Sequence, residues 1–159
     1  MNHISDRYIL RDSTSAIYTV FNRLSNSLIF CGALARTRRR FGGYVSVTNL
    51  SGSLLLCCAI GDFSVEKRAD YIAFSQEKAV RLAANASHSL SSQSREPDLM
   101  KFGGAVKGEN IIVSFSGCPE EVDELISVLV LRELDELTRE KAKELLALSG
   151  NSYAETVTL

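Results

Sequence analysis

"FGGAVKGENIIVSFSG", residues 102–117, decides how the rest of the chain reads. Three glycines near a lysine invite comparison with a phosphate loop. A Walker A loop needs G-x-x-x-x-G-K-[ST], with the lysine directly after the last glycine. Here Lys107 precedes Gly108 and Glu109 follows it, so a carboxylate stands where a phosphate would be. The dinucleotide fingerprint needs a strand before its glycines and a helix after them; here an apolar strand follows. Ser114-Phe115-Ser116-Gly117 lacks the glycine two before Ser116 that a nucleophile elbow requires. What remains is a β-hairpin. Gly103-Gly104 turns the backbone into the sheet, and Gly108 at the tip is expected to take positive φ. Ser116-Gly117 then hands over to Pro119 at the start of a helix.

Working outward, Tyr44–Asn49 alternates and is rich in β-branched residues, which predicts a strand. Asn49-Leu50-Ser51-Gly52 has turn chemistry. Leu54–Ile60 is a continuous apolar run of strand length, expected as a buried partner in a second hairpin. Before these strands, Ile17, Val20, Phe21, Leu24, Leu28, Cys31, Leu34 and Ala35 recur at helical spacing. The predicted helix starts near Ser13 or Ser15, is interrupted around Ser25-Asn26-Ser27 and is ended by Gly42-Gly43. Residues 1–13 read as a loose segment with a short strand at Tyr8-Ile9-Leu10.

Ser64 opens a second helix, whose apolar face includes Tyr71, Phe74, Ser75, Lys78, Ala79 and Leu82. The serine-rich stretch "SHSLSSQSREPD", residues 87–98, reads as a long loop. After Pro119, leucines and valines from Val122 to Leu148 predict one long final helix, stopped at Gly150-Asn151. Residues 1–150 therefore read as a single α+β domain with a mostly antiparallel sheet, and 151–159 as a mobile tail or docking arm.

Eighteen basic against nineteen acidic residues leave no charge excess to attract nucleic acid or a membrane surface. The one basic run, Arg36 and Arg38-Arg39-Arg40, reads as a solvated helix end. No stretch reaches the ~18 apolar residues of a membrane span. The N-terminus is not a signal peptide, so a cytoplasmic location is expected. Cys31, Cys57, Cys58 and Cys118 form no C-x-x-C pair and only two histidines exist, so no metal site is expected. Cys57 and Cys58 read as small buried hydrophobes or reduced thiols.

Four segments together resemble the GlcG/HbpS-like, or haem-degrading domain, family. They are "VSVTNLSG" (45–52), "IAFSQEKAVRLA" (72–83), "GGAVKGE" (103–109) and "SGCPEEVDE" (116–124). The resemblance implies a profilin-like α+β fold, with an antiparallel sheet of about four to five strands flanked by helices. It also implies homo-oligomers and, in some members, haem or a related tetrapyrrole. Where the family often has a threonine near its haem, this chain has Arg81.

The residues themselves supply three ligand candidates. Lys78 and Arg81 share a helix face at i, i+3 and could hold an anionic group; the competing reading is surface pairing with Glu77 or Asp70. His88, in the polar loop, is the best-placed histidine for haem or a metal. Asp123 and Glu124 are adjacent on a helix, so they point apart and read as partners of the helix dipole rather than a catalytic pair. No nucleophile with its base can be assembled, so the expectation is a non-catalytic ligand-binding module. The alternative is an assembly protein, for which the run Ile126–Leu131, apolar on more than one face, would meet a partner subunit.

Overall fold

The computed structural model describes residues 3–37 and 40–159, with side chains from Arg11 onward. Five helices and four strands follow in the order α1 (His3–Ser25), α2 (Leu28–Ala35), β1 (Gly42–Asn49), β2 (Leu54–Gly61), α3 (Arg68–Ala83), β3 (Ala105–Lys107), β4 (Ile111–Ser116), α4 (Glu120–Glu133) and α5 (Arg139–Leu148). The strands form one antiparallel sheet in the order β2-β1-β4-β3. This is an α+β fold consistent with the profilin-like arrangement.

Both hairpins form, and their central strands pair with each other from Tyr44 opposite Ser116 to Asn49 opposite Ile111. Alternation then sorts the side chains into two unlike layers. Val45, Val47, Val113 and Phe115 face α1 and α4 and build the main core with Ile17, Val20, Leu125 and Leu129. The other face of the sheet lies under α3, where Ala79, Leu82, Ala105 and Ile112 form a small apolar cluster. That layer is rich in hydroxyls, and Ser46 Oγ and Ser75 Oγ share a 2.7 Å hydrogen bond across it. Small side chains here let α3 lie close to the sheet.

Several expectations are corrected. Residues 3–13 are helical, so the loose segment and the strand at Tyr8–Leu10 do not exist. The expected break is real: α1 ends at Ser25, and Ser27 Oγ accepts from the Phe30 amide to open α2. Gly42-Gly43 does not stop that helix, which ends at Ala35. These glycines open β1, where a Cβ on Gly43 would lie 2.1 Å from the Ser116 carbonyl oxygen. Gly108 does not take positive φ. Its missing side chain instead lets the hairpin tip approach Leu131 and Glu136, each of which would lie 2.9 Å from an added Cβ.

The long final helix is two. Asp135 takes φ 57° in the break, and Thr138 caps α5 through the Lys141 amide. The run Ile126–Leu131 is buried inside its own chain, because α4 is enclosed by the sheet, α1 and α5. Its apolar girth therefore needs no partner subunit. Residues 151–159 are not a loose tail. Tyr153 is buried against Phe30, with ring centroids 6.2 Å apart, and shares a hydrogen bond with Thr37. The strand β2 is an edge strand and only partly buried, as are Cys57 and Cys58. Arg38 and Arg39 of the basic run lie outside the described residues; Arg40 stands 3.9 Å from Asp62 at the surface. No helix among the described residues is long and apolar enough to cross a membrane.

Candidate functional site

The site begins with a charged residue on an apolar stripe. Lys78 follows Ser75 and precedes Leu82 on the buried face of α3, and its side chain is 2% exposed. Burying an ammonium is costly unless an anion meets it. Asp123, on the first turns of α4 and 3% exposed, supplies that anion 2.9 Å away. The Lys78 ammonium also donates to the Phe115 carbonyl at 3.0 Å. The other oxygen of Asp123 accepts from the Cys118 amide at 2.8 Å, which ties down the turn entering α4.

Gly104 makes this meeting sterically feasible. It has φ 121°, and a Cβ there would lie 2.7 Å from the Asp123 Cβ and 3.0 Å from the Lys78 ammonium. Its carbonyl accepts from Ser127 Oγ at 2.7 Å. The double glycine of the 102–117 stretch is therefore part of the site's architecture as well as a turn into the sheet. Gly103 contributes its amide, which donates to Glu120 at 3.0 Å.

Above the ion pair opens a cleft of about 390 Å³. Tyr71, Phe74 and Phe102 form its apolar side, with Phe74 and Phe102 packed edge to face at 5.5 Å. Ser116, Gly117, Cys118 and Pro119 form the opposite wall, and Glu120 stands at its margin. Burial opposes ionisation of Glu120. The hydrogen bonds from Arg95 and Gly103, with the positive charges of Arg95 and Lys78, outweigh that and hold its carboxyl below the ordinary carboxylate range. Lys78 is paired with Asp123, and Glu120 with Arg95 at 2.8 Å, so the charges around the cleft balance and none is left over to hold an anion.

Arg81 does not face this cleft as a ligand cation. Its guanidinium is used up within the chain: Nε donates to Glu77 at 2.6 Å, and the two terminal nitrogens reach the carbonyls of Ser91, Ser94 and Phe102. One planar fork thus folds the 87–98 loop, including its two short 3-10 turns, onto α3 and places Phe102 beside Phe74. The surface pairing with Glu77 is present, but Arg81 is a loop organiser more than an exposed ion pair. The structure thus separates the roles of Lys78 and Arg81. His88 is half-buried in the loop, its Nδ1 has no partner, and it does not line the cleft.

Asp123 and Glu124 do point apart, but helix-dipole contact is not their main role. Glu124 is 2% exposed on the far side of α4. It accepts from Ser92 Oγ at 2.9 Å and from Ser149 Oγ, with Asn151 Nδ2 at 3.4 Å. Burial pushes its carboxyl above the ordinary range, with Glu121 adding to the effect, against the lowering by Ser149, Ser92 and Asn151. This network fastens the loop and the C-terminal segment to α4. It borders a larger cleft of about 510 Å³, which shares Pro119 and Glu120 with the first. The polar groups of that larger cleft are paired among themselves: Glu124 with Ser92 and Ser149, Glu121 with Ser152, Thr37 with Tyr153. Such groups serve the fold. The Lys78 ammonium differs in having three protons and two acceptors.

A tetrapyrrole would require an axial ligand, cations for its propionates and a long apolar slot. The cleft holds no histidine, Arg81 is consumed by the loop, and Lys78 is neutralised by Asp123. Among the described residues no group of three His, Cys, Asp or Glu could hold a metal ion. The residues present do not fit haem.

No family model and no curated protein matches the chain. Among solved structures, it is similar to the crystal structure of Klebsiella pneumoniae protein ORFY, family model DUF336. The TM-score is 0.45 and the identity 16%, over 79% of this chain and 90% of that one.

Proposed function

We propose that the chain is a non-catalytic small-ligand-binding module of the GlcG/HbpS-like type, with its ligand in the cleft above Lys78 and Asp123. The observation that carries this is the buried Lys78 ammonium, with a proton to spare at the base of an aromatic-walled cleft. Apolar walls with a few convergent polar groups are the usual makeup of a small-molecule site. The ligand class follows from the charges. Lys78 is balanced by Asp123 and Glu120 by Arg95, so no net charge is left to favour an ion and the ligand is uncharged. The edge-to-face pair Phe74–Phe102 suits a ring, and the ammonium suits one carbonyl or similar acceptor on that ring.

The test is a panel of aromatic amides beside the matching aromatic acids, read by thermal shift and by chemical-shift mapping. Amides are expected to raise the melting temperature, as any ligand of the native state does. Their shifts should cluster on residues 71–78, 102–104 and 116–123, and Phe74→Ala should abolish them. No mapped binding at about 1 mM ligand, or tighter binding of the acids than of the amides, would overturn the reading. Haemin titration should give no saturable Soret shift.

A further inference from the structure

The two edges of the sheet are treated differently. The β3 edge is covered: Leu90 bridges to Val106, and the Lys107 amide donates to the Ser89 carbonyl at 2.9 Å. The β2 edge has no such cover among the described residues. It runs LLLCCAIG without a charge or a proline, two of the devices that normally keep an edge from pairing. Its irregularity is a bulge at Leu55, between the pairs Val47–Leu56 and Thr48–Leu54, and residues 56–61 beyond it are regular. The helix α1 packs on one face of β2, but α3 lies over β1, β4 and β3 and leaves the other face open. There Leu54 is 50% exposed, and the neighbouring Leu50 and Val80 are 42% and 52% exposed. Gly52 of the β1–β2 turn packs on Val80 and Ala83, which brings Val80 to the end of the hairpin that carries Leu50 and Leu54.

We propose that β2 pairs antiparallel with β2 of a second copy of this chain, joining two four-stranded sheets into one of eight strands. The edge suits itself as partner. A two-fold axis sets each residue near its own copy, and like charges directly opposite would be destabilising; this edge carries none. The eight-residue edge is about 27 Å long, a smaller footprint than the ~800 Å² per partner of a standard interface, so a weak, reversible dimer in the micromolar range is expected. This proposal is independent of the ligand cleft, which lies on the other side of the sheet's centre.

The cysteines make the register measurable. Directly opposite residues of an antiparallel pair share a face, so a two-fold register must be centred on a residue rather than between two. Two such registers come nearest to full overlap of residues 54–61. The one centred on Cys57 would set Leu54 opposite Ile60, which the bulge at Leu55 places on different faces, so the register is the one that sets Cys58 opposite its own copy. Opposite Cα atoms lie about 4.5–5.5 Å apart, within reach of a disulfide.

Sedimentation should show a monomer–dimer equilibrium with a micromolar constant. Mild oxidation in alkaline buffer, which helps because burial and Cys57 push the Cys58 thiol up, should give a covalent dimer. Peptide mapping should place the bond at Cys58, and Cys58→Ser should abolish it while Cys57→Ser does not. Leu54→Lys with Ala59→Lys, both at exposed positions, should weaken the dimer at least tenfold while leaving the circular dichroism spectrum intact. A monomer at about 500 µM, bonds mapping only to Cys31 or Cys118, or a dimer indifferent to the two lysines would each overturn the proposal.

Discussion

Replacing Lys78 by methionine keeps the length of the side chain and removes its charge. Asp123 would then be an anion 3% exposed, with the Cys118 amide still bonded to it but no cation beside it. The Phe115 carbonyl would lose a donor as well. Breaking a buried ion pair in this way costs about 3–5 kcal/mol. For a chain of this size each kcal/mol moves the melting temperature by about 2–4 °C, so a fall on the order of 10 °C is expected. Urea unfolding followed by circular dichroism measures the same loss as a lower midpoint at unchanged slope. The companion variant is Lys78→Met with Asp123→Leu. With both charges gone, nothing ionic is stranded, and the double variant should lie within about 2 kcal/mol of the parent. If Lys78→Met alone costs less than about 1 kcal/mol, the pair is solvated and the reasoning fails. It fails equally if the double variant is as unstable as the sum of the singles.

Two further outcomes follow from other parts of the site. The folded state holds a proton on Glu124 more tightly than the unfolded chain does, since burial raises its carboxyl. The resulting stability is full below the unfolded carboxylate range and is lost as pH rises through the folded value. Glu124→Gln should flatten that fall, measured as urea midpoints from about pH 4 to 8; identical slopes in parent and variant would refute it. Arg81→Lys cannot reproduce a fork that reaches the carbonyls of Ser91, Ser94 and Phe102. Hydrogen exchange should quicken at least tenfold across residues 89–103 and little in β1 and β4; unchanged protection of the loop would count against the clamp.

The hairpins were legible because Tyr44–Asn49 alternates, Leu54–Ile60 is an apolar run of strand length, and both turns carry turn residues. Other elements hid behind patterns that two structures share. Tyr8-Ile9-Leu10 is too short a run to distinguish helix from strand. The break between α4 and α5 is masked because leucines at 134, 137, 145 and 146 keep a helical period across it. Gly42-Gly43 looks like a helix stop, yet its use is the close approach of β1 to Ser116 and Gly117, a contact between segments far apart in the chain. The site was half legible. Lys78 stood in the apolar stripe of α3, but surface pairing with Glu77 or Asp70 accounted for it, and the structure buries it on Asp123 instead. That partner was hidden, since Asp123 also satisfies the helix-start rule that explains it more simply. The acceptors of Arg81 are mostly backbone carbonyls, which leave no mark on a sequence.

The distance in sequence between Lys78 and Asp123, 45 residues, has a consequence for how the chain assembles. α3 cannot settle on the sheet with its ammonium stranded, so its docking must wait for the β3–β4 hairpin and the first turn of α4. The same pair that costs desolvation in the finished molecule therefore removes half-built alternatives. Unfolding should accordingly be a single event in which α3 and α4 are lost together, with no populated species that keeps one and releases the other.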